Sequence, residues 1–341
     1  MIRNLFRTFA ILLLLAAAAA GYAAFRLTRP YRGFAGEVYL DVPRGTPAGR
    51  IADMLAESGV VRTRWDFLMA RAFRRGRTLQ AGEYRFDRSA SPLEVFGRIA
   101  RGDIFYYELV VPEGWNMFDI AAAVGQLGLF RAEDFLAAAR DPSLVRDLDP
   151  KAPTLEGYLF PDTYRLGHTT TPAGLCRLMT KKFREVWQGL HTNADVHDTV
   201  TLASLVEKES KLVGERPLVA AVFANRARIG MKLDCDPTTI YAALLEHRYR
   251  GTIYRSDLAS GNPYNTYQHA GLPPGPIANP GLPSIQAALK PASSEALYFV
   301  LRPDGSGAHE FSKTIAAHEA ATARYRRALR AVNARGSARA Q

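Results

Sequence analysis

Two stretches of this chain repeat one another. LDVPRGTPAGRIADML from Leu40 and LVVPEGWNMFDIAAAV from Leu109 both read L-x-V-P-x-G-x5-I-A. They match at Leu40/Leu109, Val42/Val111, Pro43/Pro112, Gly45/Gly114, Ile51/Ile120 and Ala52/Ala121. Gly59 then answers Gly128, and DFL at Asp66 answers DFL at Asp134 after a one-residue shift. A short apolar run, a Pro-Gly turn and helically spaced apolar residues predict a strand, a turn and an amphipathic helix in each copy. Between the copies, AGEYRFD (residues 81–87) reads as a strand. SPLEVFGRIARG reads as a helix with Ser91 as N-cap and Pro92 at its first position. The repeat therefore commits the first half of the chain to small α+β units.

The 341 residues suffice for about two domains, each with a core. Upstream of the repeat lies an uncharged run from Thr8 to Phe25, preceded by Arg3 and Arg7. Its length is at the short end for a membrane span. GYAA at residues 21–24 carries small residues of the signal-cleavage type, but Tyr22 and Phe25 continue an apolar helix, and a retained anchor is expected. Arg26, Arg29 and Arg32 follow it, so loop charge does not favour a cytoplasmic N-terminus. Long domains after such anchors are translocated largely regardless of charge, which places residues 26 onward outside the cytoplasmic membrane.

The formal charge of +11 permits nucleic acid, an anionic membrane surface or an acidic polymer as partner. Cys176 and Cys235 form no metal or redox spacing, and His309 and His318 stand at neither ligand spacing of a helix. No P-loop, dinucleotide or G-x-S-x-G fingerprint occurs. No metal, no cofactor and no nucleic-acid partner are expected.

In the second half, TVTLASLVEKESKLV (residues 199–213) has the spacing of an amphipathic helix. Leu202, Leu205, Val206, Glu209, Leu212 and Val213 fall on one face. Glu209 thus sits on an apolar stripe. Glu207 points roughly 200° away. A carboxyl on such a face is desolvated, and burial raises its pKa because the charged form loses hydration. That is how a protein keeps a carboxylic acid protonated near neutral pH, as general acid catalysis at a glycosidic oxygen requires. The alternative for Glu209 is a core-edge carboxylate paired with an arginine such as Arg216 or Arg226. No second carboxylate is placed against it: Glu207 faces away, Asp236 reads as an N-cap, and Glu156 and Asp162 lie in an aromatic, turn-rich segment.

Residues 260–284 hold six prolines and are too punctuated for regular structure. Tyr264 and Tyr267 offer flat faces for sugar rings, and Asn265, Thr266 and Asn279 offer hydrogen bonds to hydroxyl and acetamido groups. Prolines there lower the entropy lost on ordering the loop.

LEGYLFPDTY, ASLVEKES, VFANRARIGMKLDCDPTTIY, PYNTYQHAGLPPGPIANPG and LYFV…HEFSKT…H occur in the order and spacing of the endolytic murein transglycosylases, the YceG-like family, which the second half resembles. The repeat region resembles the LysM module, a β-α-α-β fold that binds N-acetyl sugars. The resemblance implies an inner-membrane enzyme whose periplasmic part cuts peptidoglycan glycan strands beside the peptidoglycan synthases (penicillin-binding proteins). It makes the second glutamate of E-K-E-[ST], Glu209, the catalytic acid. The substrate-binding residues expected from the loop itself are Tyr264, Asn265, Thr266, Tyr267 and Asn279, with Glu156 from the aromatic segment. Cys235 departs from the family pattern, where a polar residue such as threonine is expected.

The expected layout is an α+β chain: a membrane anchor (1–25), a linker (26–37), a LysM-like α+β region (38–150), a mixed α/β catalytic domain with a helix-borne glutamate (151–330) and a basic tail (331–341). The rival readings are a non-catalytic wall-binding scaffold and a hydrolytic muramidase.

Overall fold

The protein was analysed as a computed structural model, which describes residues 2–74 and 76–339. The chain is α+β and divides into two compact units. The first holds residues up to Tyr107 together with Arg165–Thr169, and the second holds Glu108–Tyr164 and everything from Thr170 onward. The division falls earlier than the boundary at residue 150 read from the sequence, and the second repeat copy lies almost wholly in the second unit.

In chain order the elements are α1 (Ile2–Thr28), β1 (Val38–Val42), α2 (Ala48–Glu57), α3 (Arg64–Phe73), β2 (Gly82–Phe86), α4 (Pro92–Arg101), β3 (Tyr107–Val110), α5 (Met117–Leu127) and α6 (Ala132–Ala139). There follow β4 (Thr163–Leu166), α7 (Pro172–Gly189), α8 (Val196–Glu209), α9 (Arg216–Arg228), α10 (Asp236–Leu245), α11 (Arg255–Leu258), α12 (Leu282–Leu289), β5 (Tyr298–Leu301), β6 (His309–Ser312) and α13 (Ile315–Arg339). The strands form three two-stranded sheets, β1-β2, β3-β4 and β5-β6. No larger sheet forms among the described residues, so the second unit is helical with short ribbons rather than mixed α/β. Both repeat copies run strand, turn, helix, helix. Gly45 and Gly114, at equivalent places, both take positive φ (81° and 78°), a conformation costly for any residue with a Cβ.

In the first unit β1 and β2 pair antiparallel with Leu40 opposite Tyr84, and inward residues Leu40, Val42, Tyr84 and Phe86 alternate with outward ones. Phe67 of α3 and Phe96 of α4 meet on them, with ring centroids 5.9 Å apart. Ser91 caps α4, as the sequence predicts, and forms a capping box with Glu94.

α1 is long and apolar enough to cross a membrane, and the apolar window of the helix from Leu5 to Thr28 is wholly unburied. Residues 26–37 are not a free linker. Leu27 joins the core cluster of the first unit. Arg26 makes two hydrogen bonds to Asp66 Oδ1 and one to Oδ2 at 2.7–3.1 Å. Tyr31 bridges to Ala90, and the Gly33 N–H donates to the Gly59 carbonyl. The buried Asp66 compensates Arg26, and the helix continues into the unit. At the other end, the basic tail is helical through Arg339, and residues 340–341 lie outside the described residues.

In the second unit, α8 packs against α12, α9 and α10. Leu205, Val206, Phe223, Tyr241 and Ile277 lie at the centre of that core. This packing sets where the end of α8 points.

Candidate active site

α8 begins at Asp195, whose side chain accepts the Asp198 N–H at 2.9 Å. It is buried on more sides than its stripe suggests. Ser204, expected off the apolar face, is fully buried, donating to the Thr201 carbonyl and accepting from the Ile277 N–H. The helix ends at Glu209, not at Val213. Ser210 is extended, and its hydroxyl donates to the Leu212 carbonyl at 3.1 Å, a local bond that competes with the next helical turn. Leu212 and Val213 are therefore exposed rather than part of the stripe.

Glu209 is partly buried. Its Oε1 accepts the Cys235 thiol at 3.2 Å. Burial raises its pKa above the ordinary carboxylate range, and the neighbouring Asp236 charge adds to the rise. The Cys235 thiol, His309 and Arg226 pull the other way and do not overcome it. The Cys235 backbone is itself fixed at two points. Its N–H donates to Thr266 Oγ1 at 3.1 Å, its carbonyl accepts from Thr238 Oγ1 at 2.6 Å, and those two hydroxyls lie 2.9 Å apart. Asp236 does not cap its helix with a side-chain bond. It is exposed, one residue inside α10, and accepts the Tyr267 hydroxyl at 2.7 Å. Glu209, Cys235, Asp236, Thr266 and Tyr267 thus form one cluster, although α8 and the start of α10 are well separated in sequence.

The remaining candidates sit elsewhere. Asn265 is fully buried. Its Nδ2 donates to the carbonyls of Asp257, Leu258 and Ser260, and its Oδ1 accepts from Thr239 and the Tyr267 N–H. Tyr264 is buried against Tyr241, with ring centroids 5.1 Å apart. Asn279 and Glu156 form a second buried group. Asn279 Oδ1 accepts the N–H groups of Gly157 and Leu159, and its Nδ2 donates to the Trp115 carbonyl and to Glu156 Oε1. Glu156 Oε2 accepts the Met117 N–H at 2.9 Å, at the first turn of α5. Full burial pushes the Glu156 carboxyl up to about 8. Gly157 is required there: its φ is +89° and a Cβ would strike Pro276 and Val200. The polar side-chain atoms of Asn265, Thr266 and Asn279, and both carboxylate oxygens of Glu156, are engaged with the protein itself, and none of the four residues is exposed. Asp162 pairs with Lys182 at 2.9 Å.

Glu207 overturns a reading of the helix. It does not lie on a solvated face of the helix. Its side chain is 5% exposed and pairs with Arg216, itself 6% exposed, at 2.9 Å. Its Oε2 also accepts the Gly281 N–H at 3.0 Å. The arginine pairing considered for Glu209 thus belongs to Glu207. Next to it, Lys208 Nζ donates to the Gly114 carbonyl at 3.1 Å. The end of α8 therefore grips the turn of the second repeat copy and the Asn279–Gly281 loop, while Glu209 turns to Cys235. Sequence reading missed Thr238 and the part Cys235 plays, and it gave Arg216 to the wrong glutamate. Only the departure at Cys235 offered a signal.

The sequence model of the YceG-like family matches residues 40–324. An endolytic murein transglycosylase of Bacillus subtilis is 29% identical over 309 residues, covering 84% of each chain. One of Streptococcus pneumoniae is 30% identical over 296 residues, covering 77% of this chain and 54% of its own length. A crystal structure of a YceG-like protein from Listeria monocytogenes aligns with a TM-score of 0.53 at 29% identity, over 83% of this chain and 98% of that one. With a match that spans both units and the Glu209 cluster, this chain belongs to the YceG-like family.

Proposed function

We propose that this protein is a membrane-anchored lytic transglycosylase that cleaves the bond between N-acetylmuramic acid and N-acetylglucosamine within peptidoglycan strands. The observation that carries the reading is the partly buried Glu209, whose carboxyl is held protonated to higher pH by desolvation and placed by the Cys235 thiol. The relatives named endolytic murein transglycosylases support the substrate class. Glu209 gives its proton to the glycosidic oxygen as the C1–O bond breaks. The carboxylate then takes the proton of the muramic C6 hydroxyl, whose oxygen closes on C1 to leave a 1,6-anhydro end. The proton lost in the first step is regained in the second, and no water enters. The substrate's acetamido group can stabilise the cation. Tyr267 offers a partly exposed ring beside the acid, and Asn265, Thr266, Asn279 and Glu156 act by holding the walls in place.

α1 anchors the chain in the inner membrane with both units on the periplasmic side, so cutting falls on nascent strands near the synthases and ends their elongation. A second reading has one observation in its favour. Asp236 lies close enough to Glu209 to raise its pKa, so a two-carboxylate hydrolase that adds water is the competing chemistry. Mass spectrometry of purified strands after digestion tests both. The lyase leaves total mass unchanged and creates anhydro ends. Gain of one water per cut would establish the hydrolase, and absence of cutting would establish a scaffold.

A further inference from the structure

α3 has two apolar faces, and the first unit buries only one. Phe67 and Ala70 turn into the core with the paired Asp66. Trp65, Ala72 and Phe73 fall on the other side of the helix at i, i+7 and i+8, while Met69 packs against the core. Trp65 is 64% exposed and Phe73 72% exposed. The face is bordered by cations. Arg71, Arg74 and Arg77 are exposed, and among the described residues none of them is in an ion pair. With Leu68 and Ala72 these arginines line a depression of about 410 Å³ at the end of α3. At the start of the helix, Arg64 lies over the Trp65 ring, 5.6 Å from its centroid.

The same helix is tied to the end of α1. Asp66, next to Trp65, caps α3 through Thr63 and binds the Arg26 guanidinium. Arg26 also donates to the Tyr22 hydroxyl at 3.1 Å, and Arg29 lies over Phe25. Tyr22 and Phe25 followed by Arg26 and Arg29 is the composition of a membrane–water boundary. The residue before Asp66 is thus held within a side chain's reach of the level where α1 leaves the hydrocarbon.

From this we infer that the outer face of α3 rests in the headgroup layer of the membrane that α1 enters. Trp65 and Phe73 reach the acyl boundary, and Arg71, Arg74 and Arg77 bind the phosphates of anionic lipid. Trp and Phe beside arginine is what an in-plane amphipathic helix uses, and unpaired arginines gain most from an anionic surface. The chemistry that covers this face is a lipid phosphate and an acyl chain. The inference rests on the anchor reading of α1.

The test uses the full chain in vesicles of neutral lipid, with and without phosphatidylglycerol. Single cysteines carrying a nitroxide replace Leu14, Trp65, Phe73 and, as an aqueous control in the second unit, Leu301. Cys176 and Cys235 are buried and do not label in the folded chain. The expected result is hydrocarbon depth at position 14, interfacial depth at 65 and 73, and water at 301. Positions 65 and 73 sink further when phosphatidylglycerol is present, and the Arg71→Glu, Arg74→Glu variant loses that increment. Hydrocarbon depth at 14 with water at both 65 and 73 overturns the inference and leaves the anchor standing. Water at 14 overturns the anchor and the inference together. Positions 65 and 73 shielded from both water and lipid would mean that a glycan, another protein or a second copy of this chain covers the face, which also overturns it.

Discussion

Glu207 and Glu209 lie on the same last turn of one helix and live in opposite surroundings. Glu207 is buried against a buried arginine, and its Oε2 also accepts a backbone N–H. Its charge is compensated, and its work is to hold the Asn279–Gly281 loop. Burial and the nearby Asp236 charge disfavour the charged form of Glu209, and the Cys235 thiol offsets them only in part. Burial alone does not make a carboxyl an acid catalyst. What distinguishes the pair is whether burial comes with a counter-charge or without one.

The comparison breaks most sharply at Glu209→Gln. The swap keeps volume and cannot give a proton. Loss of one general acid costs about 10²–10⁴-fold, and here the same group also acts as base, so turnover of strands is expected to fall by at least the upper figure. The fold should be unaffected, since the carboxyl lacks a buried counter-ion, and thermal unfolding checks this beside the rate.

Glu207→Gln should do the reverse. Removing one partner of a buried ion pair leaves the other uncompensated, at a cost of about 3–5 kcal/mol. Denaturant unfolding should show that loss, with Arg216→Met in the same chain recovering part of it. Molecules that remain folded should still cut with Glu209 as acid. A large rate loss at unchanged stability would move Glu207 into the chemistry.

Glu156 sharpens the same contrast through pH. Its folded pKa of about 8 lies above the unfolded value, so the folded state holds the extra proton between the two. Its contribution to stability is largest at and below the unfolded pKa. It declines as pH rises toward about 8 and is flat beyond. Melting temperature should fall across that window in the wild type and change less in Glu156→Gln.

The smallest effect concerns Cys235. Its thiol stabilises the charged form of Glu209. Cys235→Ala should shift the alkaline limb of the activity profile upward. Cys235→Ser, a stronger donor, should shift it downward. Each shift should be a fraction of a unit to about one unit. No shift in either variant would remove the thiol from the account.

Much of this was legible in the sequence. The repeat foretold both strand-turn-helix copies, because Pro-Gly turns and apolar spacing are local signals. Ser91 and Pro92 marked the start of α4, and the apolar run marked α1. The position of Glu209 on the stripe was legible too. The surroundings of both glutamates were not. Arg216 reaches Glu207 because the chain folds back after α8, and Cys235 reaches Glu209 from the start of α10. Nothing in residue spacing encodes either approach. Helical periodicity likewise overran the end of α8, because Leu212 and Val213 keep the period while Ser210 breaks the backbone. The loop residues Asn265, Thr266 and Asn279 were identifiable as polar groups in a rigid segment, but only tertiary structure shows that their bonds point inward.

The most direct test is a difference-infrared pH titration of the full chain with carbon-13 glutamate carboxyls, run on the wild type, Glu209→Gln and Glu207→Gln. Besides that of Glu156, one carboxyl signal should persist above the ordinary glutamate value of about 4.3, vanish in Glu209→Gln and remain in Glu207→Gln. Its midpoint should coincide with the alkaline limb of strand cleavage. A Glu209 signal that ionises at or below the ordinary value would contradict the account, because a carboxylate already ionised cannot be the acid that starts the cut.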